Sequence, residues 1–344
     1  MKRINVALLG ATGAVGEEFL NILVERNFPY ANLKLLASPR SAGKKMVVGG
    51  KECIVEAVTP DSFNDVDLAF FSAGGSVSLE YAPHAVRAGA VVIDNTSAYR
   101  MEPNVPLVVP EVNPEDIRRH KGIIANPNCS TIIMVTALKP LYDAARIKRI
   151  VVSTYQAVSG AGAKGMEELK DQVKAYVAGE EITARYLPSA GAEKHYQIAF
   201  NLLPQIDSFS DMGYTKEEWK MVKETQKMLH DPEIRITATT IRVPVFRSHS
   251  ESINIEQERK VTADEARAIL RKAPGIVVQD DPTRQEYPMP LFTADTDPVY
   301  VGRIREDNSC ENGLNLWVVG DQIRKGAALN SIQIAEYMLA NQLL

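Results

Sequence analysis

Short apolar runs alternate with helix-period segments in the first part of the chain. Residues 4–9 form a continuous apolar run, a glycine-containing turn follows through residue 16, and apolar residues then recur at helical spacing. Further apolar-rich runs occur at 33–37, 66–71, 90–93, 107–112 and 123–125. Such runs are typical of strands buried on both faces of a parallel sheet, with helices between them. This part is therefore predicted to be a doubly wound, Rossmann-like α/β domain.

The pattern changes in the second part of the chain. Residues 149–159 form a long strand-like stretch, and residues 237–246 and 252–258 alternate between apolar and polar positions on either side of a short connection. Two alternating strands of this kind predict a mostly antiparallel sheet with one polar face. The remaining segments predict a mixed α+β region, with helices at 166–177, 215–230, 262–273 and 327–344 and strands at 300–304 and 314–319.

Two of the predicted helices begin with capping-box spacing. Thr215 is followed three residues later by Glu218, and Thr262 is followed by Glu265. In this arrangement the hydroxyl and the carboxylate each accept a backbone N–H at the start of the helix. Both helix starts are therefore predicted from the sequence.

Composition and charge limit the class of protein. The 344 residues are 45% hydrophobic and 24% charged, which is ordinary for a soluble globular protein. A net charge of −4 gives no electrostatic reason to expect nucleic acid as a partner. Three cysteines without paired spacing fit a reducing compartment, and no metal site is predicted. The chain has no leader-like start and no apolar run near ~20 residues, so we expect a cytoplasmic protein without membrane contact.

The turn after the first strand carries glycines at Gly10, Gly13 and Gly16. They resemble the dinucleotide-binding fingerprint with altered spacing, in which glycines allow a sharp turn, close approach of pyrophosphate and close packing of helix on strand. The position between a strand and a helix favours a dinucleotide site. The alternative is a tight structural turn.

The segment after the second predicted strand indicates which dinucleotide is bound. An NAD site usually has an acidic residue there, to bind the ribose 2′-hydroxyl. Here residues 37–45 contain no acid but include Arg40, two further cations and hydroxyl residues such as Ser41. This composition suits a 2′-phosphate, so NADP is predicted. The alternative is a solvated basic loop.

A candidate nucleophile lies between a short apolar run and a helix-like run. Cys129 follows Asn126-Pro127-Asn128, which reads as a tight turn, and precedes an apolar helical segment. The free N–H groups and the positive end of the dipole at a helix start favour a thiolate. The alternative is a small buried cysteine that serves only packing.

Several separate motifs then appear in order along nearly the whole chain. They are ATGAVG at 11–16, SPRSAG at 38–43, NPNCST at 126–131, STYQAVSGAG at 153–162, HSES at 249–252 and GAALNSIQIAE at 326–336. Together they strongly resemble aspartate-β-semialdehyde dehydrogenase, and the bacterial form is the closer match. The resemblance implies NADPH-dependent reductive dephosphorylation of L-aspartyl-4-phosphate to aspartate-4-semialdehyde, on the route to lysine, threonine, methionine and diaminopimelate.

The resemblance also implies a role for each matching catalytic residue. Cys129 would attack the acyl carbon, expel phosphate and form a thioester that is then reduced. His249 would be the general acid/base: it would take the thiol proton and stabilise or protonate the tetrahedral intermediates, although read alone it is a surface histidine between two serines. Gln156 would orient the substrate and the intermediate through its amide. The histidines at 84, 120, 195 and 230 match no motif and are expected to be structural.

The implied substrate contacts match the charges of aspartyl phosphate. Arg242 would bind the α-carboxylate through its planar fork, and Glu217 would bind the α-ammonium. Lys220 and Arg100 would hold the phosphate, and Asn128 would help to position the phosphate or the thioester oxygen. Read alone, Glu217 and Lys220 are an exposed pair three residues apart on one helix face, and Arg100 is a solvated loop residue.

The implied cofactor contacts and domains complete the expectation. The pyrophosphate would lie at Gly10, Thr12, Gly13, Ala14 and Val15, the 2′-phosphate at Arg40 and Ser41, and the nicotinamide near Ser159, Gly160 and Gln322. Relatives often carry Asn at the last position, where glutamine keeps the amide and adds a methylene. Residues 1–130 with about 322–344 would form the NADP-binding domain, and 131–321 a substrate-binding domain that forms a homodimer.

Three other assignments compete with this one. N-acetyl-γ-glutamyl-phosphate reductase has similar chemistry, but its acylated substrate nitrogen does not require an acid such as Glu217. Phosphorylating glyceraldehyde-3-phosphate dehydrogenase has a Cys-Thr-Thr-Asn segment, whereas Ile132 stands here at the last of these positions. A catalytically inactive dinucleotide-binding relative would have lost reactive residues, and Cys129, Gln156, Arg242 and His249 are all present.

Overall fold

The computed structural model describes residues 3–344 and divides into two compact units. The first unit runs to Asn128 and includes Ala327–Leu344, and the second unit is Cys129–Gly326. Residues 1 and 2 of the predicted first domain lie outside the described residues. What each unit binds stays a prediction at this point.

The first unit contains a seven-stranded sheet in the order β3-β4-β2-β1-β5-β6-β7. All neighbours are parallel except the antiparallel pair of β3 and β4. The elements are β1 (Ile4–Leu9), α1 (Ala14–Glu25), β2 (Tyr30–Ala37), β3 (Lys45–Val48), β4 (Lys51–Ala57), β5 (Leu68–Phe71), α2 (Gly75–Arg87), β6 (Val91–Asp94) and β7 (Ile123–Ala125). The order of strands, with β1 in the centre, confirms the predicted doubly wound sheet.

The final helix of the chain packs into the core of this unit. The predicted helix over 327–344 is observed as α8 (Leu329–Ala340), after a π-helical turn at Arg324–Ala328. Ile332, Ala335 and Met338 are buried together with residues of α1 and of the central strands. The apolar stripe recognised in the sequence is therefore the face that α8 buries.

The second unit contains a six-stranded sheet in the order β11-β12-β13-β10-β8-β9. Three of the five neighbouring pairs are antiparallel, which confirms the mostly antiparallel sheet. The elements are α3 (Cys129–Ala144), β8 (Ile147–Gln156), α4 (Ala163–Ala178), α5 (Lys216–Met228), β9 (Arg235–Arg242), β10 (His249–Gln257), α6 (Ala263–Leu270), β11 (Ile276–Val278), α7 (Pro290–Thr293), β12 (Val299–Glu306) and β13 (Gly313–Gly320).

Three predicted elements differ from the observed ones. Residues 107–112 form no strand, and only Leu107 makes an isolated bridge to β7. The strand predicted over 237–246 ends at Arg242, because Pro244 has no N–H to continue the ladder. β10 begins at His249 rather than at residue 252, and β8 lies between β9 and β10. The two alternating strands therefore both pair with β8 and not with each other.

Both predicted helix starts are observed. Thr215 caps α5 with the complete reciprocal box, since its hydroxyl accepts from Glu218 N and its own N–H donates to Glu218 Oε2 at 2.7 Å. Thr262 caps α6 by accepting from Glu265 N at 3.2 Å, but this helix ends at Leu270 and not at residue 273. Among residues 3–344, no helix combines the length and apolar character needed to cross a bilayer.

Candidate active site

The candidate nucleophile is the first residue of a helix. Cys129 begins α3, and most of the first three turns of this helix are buried in the second unit. The first N–H groups of a helix have no acceptor within it, and the dipole is positive at this end. Cys129 therefore stands where a thiolate is favoured over a thiol.

His249 faces this sulfur from the first position of β10. Its Nε2 lies 3.6 Å from Cys129 Sγ, and the side chain is completely buried. His249 is therefore a buried imidazole within reach of a cysteine. The alternative of a surface histidine between two serines is wrong. The residues at 84, 120, 195 and 230 take no part in this contact.

The other ring nitrogen fixes the tautomer of His249. The backbone N–H of Ala157 donates to His249 Nδ1 at 3.0 Å, so Nδ1 carries no proton. The neutral ring therefore carries its proton on Nε2, which is the nitrogen that faces the sulfur. The neighbouring Gln156 Nε2, at 3.4 Å, is itself a donor, so Cys129 Sγ is the acceptor for this proton.

The surroundings of His249 oppose its protonation. Burial is the largest effect and Arg242 adds to it, whereas Glu217 opposes them, and together these groups lower the pKa of His249 to about 3. A protonated ring would also turn Nδ1–H toward another donor, the N–H of Ala157. The expectation that His249 takes the thiol proton does not fit this geometry, because Nε2 is already protonated in the neutral ring.

Gln156 lies beside His249 and binds the acidic residue on α5. Its Nε2 donates to Glu217 Oε1 at 3.2 Å, and its Oε1 accepts from Thr154 Oγ1 at 3.0 Å. These two bonds set the orientation of the amide. Gln156 is only 2% exposed, so it is not the polar surface residue that a strand glutamine usually is.

Arg242, at the end of β9, is a buried cation with an unused donor. Its Nη1 donates to the carbonyl of Ala157 at 2.8 Å. Its Nε is buried and has no hydrogen-bond partner among residues 3–344. Burial lowers the pKa of Arg242, and the charges of Glu217 and Cys129 oppose that effect. A buried guanidinium with a free edge suits a carboxylate ligand.

Two glycines allow the closest approaches around these side chains. A Cβ on Gly160 would lie 2.7 Å from Arg242 Nη1 and 3.3 Å from the His249 ring. A Cβ on Gly326 would lie 2.8 Å from the Cβ of Cys129. Gly160 was expected near the nicotinamide, and the structure gives it contacts with Arg242 and His249. The proximity of Gly326 to Cys129 was not predicted, although it lies in a motif that the resemblance covers.

Glu217 and Lys220 lie on one face of α5, as their spacing predicts, but they are not an isolated exposed pair. The Lys220 Nζ is 3.0 Å from Glu217 Oε2 and 3.1 Å from Asp207 Oδ2. Burial acts to lower the pKa of Lys220, but the two carboxylates outweigh it and raise the pKa, so Lys220 stays charged. No sequence pattern pointed to Asp207, because its approach to Lys220 depends on the fold of the connection before α5.

Gln322 holds the residue before the histidine. Its Oε1 accepts from Ser248 N at 2.8 Å, and its Nε2 donates to Ser159 Oγ. Ser248 has a φ of +76°, and its hydroxyl shares a hydrogen bond of 2.7 Å with Thr293 Oγ1. A left-handed serine is costly, so these bonds have to hold it in place. The expected contact of Gln322 with nicotinamide stays a prediction.

The glycine turn of the first unit is shaped by close backbone approaches. Gly10 has a φ of +98°, and a Cβ there would lie 2.6 Å from the Ser72 carbonyl oxygen. A Cβ on Gly16 would lie 2.2 Å from the Gly10 carbonyl oxygen. α1 begins at Ala14, so its first N–H groups lack helical acceptors at this turn. Such a turn suits a pyrophosphate, and the assignment of Gly10, Thr12, Gly13, Ala14 and Val15 to it stays a prediction.

The candidate 2′-phosphate residues lie beside this turn. Arg40 and Ser41 belong to a short 3₁₀ turn, Pro39–Ser41, directly after β2. Thr12 Oγ1 is 3.5 Å from Ser41 Oγ, so the two segments meet. Arg40 is exposed, and no carboxylate lies between the end of β2 and Arg40.

Arg100 and Asn128 are both buried in the first unit. Arg100 Nε donates to Asn126 O at 2.9 Å, and Nη2 donates to Asn95 O at 2.8 Å. It is 7% exposed, so it is not a solvated loop residue. Asn128 is 6% exposed. No group of three or more His, Cys, Asp or Glu side chains among residues 3–344 is arranged to hold a metal ion.

Comparison with known families gives a consistent result. Residues 5–120 match the profile described as "Semialdehyde dehydrogenase, NAD binding domain", and residues 138–325 match "Semialdehyde dehydrogenase, dimerisation domain". The chain is 57% identical over 342 residues to an aspartate-semialdehyde dehydrogenase of Aquifex aeolicus (strain VF5), which covers 98% of this chain and 99% of the relative. It is 53% identical over 334 residues to that of Bacillus subtilis (strain 168), which covers 97% and 96%.

Solved structures agree with these relatives. Aspartate semialdehyde dehydrogenase II of Vibrio cholerae, complexed with ASA, superposes with a TM-score of 0.93 at 48% identity and covers 99% of each chain. The Candida albicans enzyme with NADP superposes with a TM-score of 0.78 at 27% identity and covers 100% of each chain. The chain therefore belongs to the aspartate-semialdehyde dehydrogenase family of oxidoreductases.

Proposed function

We propose that this protein reversibly converts L-aspartyl-4-phosphate and NADPH to L-aspartate-4-semialdehyde, NADP and phosphate, through a thioester on Cys129. The observation that carries the proposal is the 3.6 Å contact between Cys129 Sγ, at a helix start, and the buried Nε2 of His249. The names of the relatives support the substrate, since one structural neighbour is complexed with ASA.

The charges around the sulfur match the amino-acid end of this substrate. Arg242 has a buried Nε without a partner among residues 3–344, and we assign it to the α-carboxylate. Glu217 is 5% exposed and acidic, and we assign it to the α-ammonium. An acid at this place argues against an N-acylated substrate such as N-acetyl-γ-glutamyl phosphate, whose nitrogen carries no charge.

The covalent steps balance without a proton transfer to the histidine. The Cys129 thiolate attacks the acyl carbon, and phosphate leaves with the electrons of the C–O bond and is protonated by water. When bound, a dinucleotide would supply the hydride that reduces the thioester. The tetrahedral oxyanion then collapses, and Cys129 leaves as a thiolate with release of the aldehyde.

In this scheme His249 acts as a fixed hydrogen-bond donor. Its Nε2–H stabilises first the thiolate and then the oxyanion of each tetrahedral intermediate. The bond from Ala157 N holds the tautomer that this role requires. Gln156, held by Thr154 and Glu217, orients the intermediate through its amide.

The remaining assignments follow the chemistry of each side chain. Lys220 and Arg100 bind the phosphate as cations, and Asn128 positions the phosphate or the thioester oxygen. The pyrophosphate of the cofactor binds at the N–H groups of the glycine turn, and Arg40 with Ser41 binds the 2′-phosphate. Ser159, Gly160 and Gln322 contact the nicotinamide. The NADP in the Candida albicans neighbour supports this cofactor.

The cellular setting is part of the proposal. The reaction lies on the route to lysine, threonine, methionine and diaminopimelate, in the cytoplasm. The dimerisation-domain profile that matches residues 138–325 supports a homodimer. Residues 131–321 would supply the substrate contacts and the dimer contacts, and residues 1–130 with about 322–344 would bind NADP.

The test is phosphate-dependent reduction of NADP with aspartate-4-semialdehyde, measured on the wild type and on Cys129→Ser. We expect activity that requires phosphate and is abolished by the substitution, because serine lacks a comparable nucleophile at neutral pH. Activity that survives in Cys129→Ser would exclude the thioester route. An inactive wild type would exclude the proposed substrate and direct the assay to the semialdehyde of N-acetylglutamate, and then to a binding role.

A further inference from the structure

Lys220 lies between two carboxylates of the second unit. Its Nζ is 3.1 Å from Asp207 Oδ2 and 3.0 Å from Glu217 Oε2. Glu217 also interacts with the charge of Arg242, so two cations and two carboxylates balance in this region. An oxyanion that approaches Lys220 therefore finds its charge already matched unless one carboxylate gives up its contact.

The two carboxylates are held very differently. Glu217 has a side chain only 6% exposed, lies one turn before Lys220 on α5, and also accepts from Gln156 Nε2 at 3.2 Å. Asp207 has a side chain 37% exposed and lies on the connection that precedes α5. Water can replace the lost partner of Asp207 but not that of Glu217. Asp207 is therefore the partner that an incoming anion can displace.

The connection that carries Asp207 is built to present one oxygen to Lys220. Asp207 has a φ of +68°, and its Oδ1 accepts from Ser208 N at 2.8 Å, which leaves Oδ2 for the lysine. Leu203 exchanges backbone hydrogen bonds of 3.0 and 2.9 Å with Arg242, so the connection starts from the proposed carboxylate-binding strand. The contact is thus specified by the fold and is not a chance surface pair.

We propose that Asp207 is the resident counter-anion of Lys220 and competes with inorganic phosphate for it, so that Asp207 sets the affinity of the enzyme for phosphate. The inference rests on the proposed function, in which Lys220 binds the phosphate. When the dianion binds, it takes the place of Asp207 Oδ2 at Lys220, and Glu217 keeps its own contacts. Asp207 acts through Lys220, so it is a positioning residue that tunes one substrate.

The test is the KM for phosphate in NADP reduction by aspartate-4-semialdehyde, measured on the wild type and on Asp207→Asn. Asparagine tolerates the left-handed conformation and keeps the acceptor for Ser208 N, so the turn survives. We expect the KM for phosphate to fall about threefold to fivefold, because a partly exposed charge is removed beside the anion. The KM for the aldehyde and for NADP should change less than about twofold on the same argument. A merely structural defect does not improve the binding of one substrate.

A matched control separates this effect from the loss of any surface carboxylate. Asp143 forms an ion pair of 2.5 Å with Lys139 on α3, so Asp143→Asn also frees a lysine, and it should leave the KM for phosphate unchanged. An unchanged or raised KM for phosphate in Asp207→Asn would overturn the inference.

Lys220→Gln identifies which proposal has failed. If it raises the KM for phosphate while Asp207→Asn does not lower it, the counter-anion role alone is wrong. If Lys220→Gln leaves that KM unchanged, the phosphate role of Lys220 is wrong, and the inference about Asp207 falls with it.

Discussion

The glycine turn of the first unit and the cysteine–histidine cluster of the second unit use different parts of the chain. The turn offers backbone N–H groups, and its shape depends on missing Cβ atoms at Gly10 and Gly16. The cluster offers side chains, and His249 and Arg242 are at most 3% exposed. The first region is therefore sensitive to added volume, whereas the second is sensitive to the identity and protonation of each buried side chain.

The largest expected effect comes from the histidine, because its donor acts in every tetrahedral step of the proposed mechanism. His249→Ala should lower kcat by about 10²–10³, the usual cost of one oxyanion donor. His249→Gln keeps an N–H donor and should recover most of this loss, with kcat within about tenfold to thirtyfold of the wild type. Steady-state kinetics on the two variants checks the prediction. If Gln is as inactive as Ala, His249 transfers protons and the donor role is wrong.

The pH dependence of the same kinetics provides the control. Since the pKa of His249 is lowered from 6.5 to about 3, the ring stays neutral throughout the usual assay range. The pH profiles of kcat should therefore have the same shape near pH 6.5 in the wild type and in His249→Gln. A fall in kcat near pH 6.5 that occurs only in the wild type would mean that the histidine titrates during turnover.

The glycine turn should respond to volume rather than to chemistry, and two neighbouring glycines allow a matched comparison. A Cβ on Gly16 would meet the Gly10 carbonyl oxygen at 2.2 Å, whereas a Cβ on Gly13 would meet the same oxygen at 3.5 Å. Gly16→Ala should lower the melting temperature of the cofactor-free protein by roughly 5 °C, from overpacking of about 2 kcal/mol. Gly13 has a negative φ, and an added Cβ there would make only ordinary contacts, so Gly13→Ala should have the melting temperature of the wild type. Thermal unfolding of both variants checks this, and equal losses would mean that the turn does not depend on the Gly16 approach.

These two regions also differed in how far the sequence could predict them. The glycine turn is local, so its strand, turn and helix were visible in the pattern of residues 4–23. The cluster joins the start of α3, the end of β8 and the start of β10, which no local pattern connects. The resemblance named its residues, but the tautomer of His249 depends on the N–H of Ala157, a backbone group that a sequence cannot assign.

The differences in the second unit have a similar physical cause. The sequence placed His249 in a connection, because polar residues surround it, whereas pairing with β8 and β13 makes it part of β10. The contact of Asp207 with Lys220 requires a left-handed turn at an aspartate, which composition does not reveal. Long-range pairing and backbone conformation therefore decided what residue patterns left open.

The smallest expected effect concerns a charged side chain of the first region. Arg40 is exposed on the Pro39–Ser41 turn, beside Thr12, and we assign it to the 2′-phosphate. Arg40→Ala should weaken the binding of NADP by about five- to tenfold, because solvent screens this exposed charge, and should leave the binding of NAD almost unchanged. The ratio of kcat/KM for NADP and NAD, on wild type and variant, measures this directly. Lys44→Ala is the control, since it removes an exposed charge from the same basic segment and keeps the backbone bond from Lys44 N to Ser41 O. Equal losses for both cofactors in Arg40→Ala would mean that the arginine supports the turn itself. Any preference for NADP over NAD would then not come from this side chain.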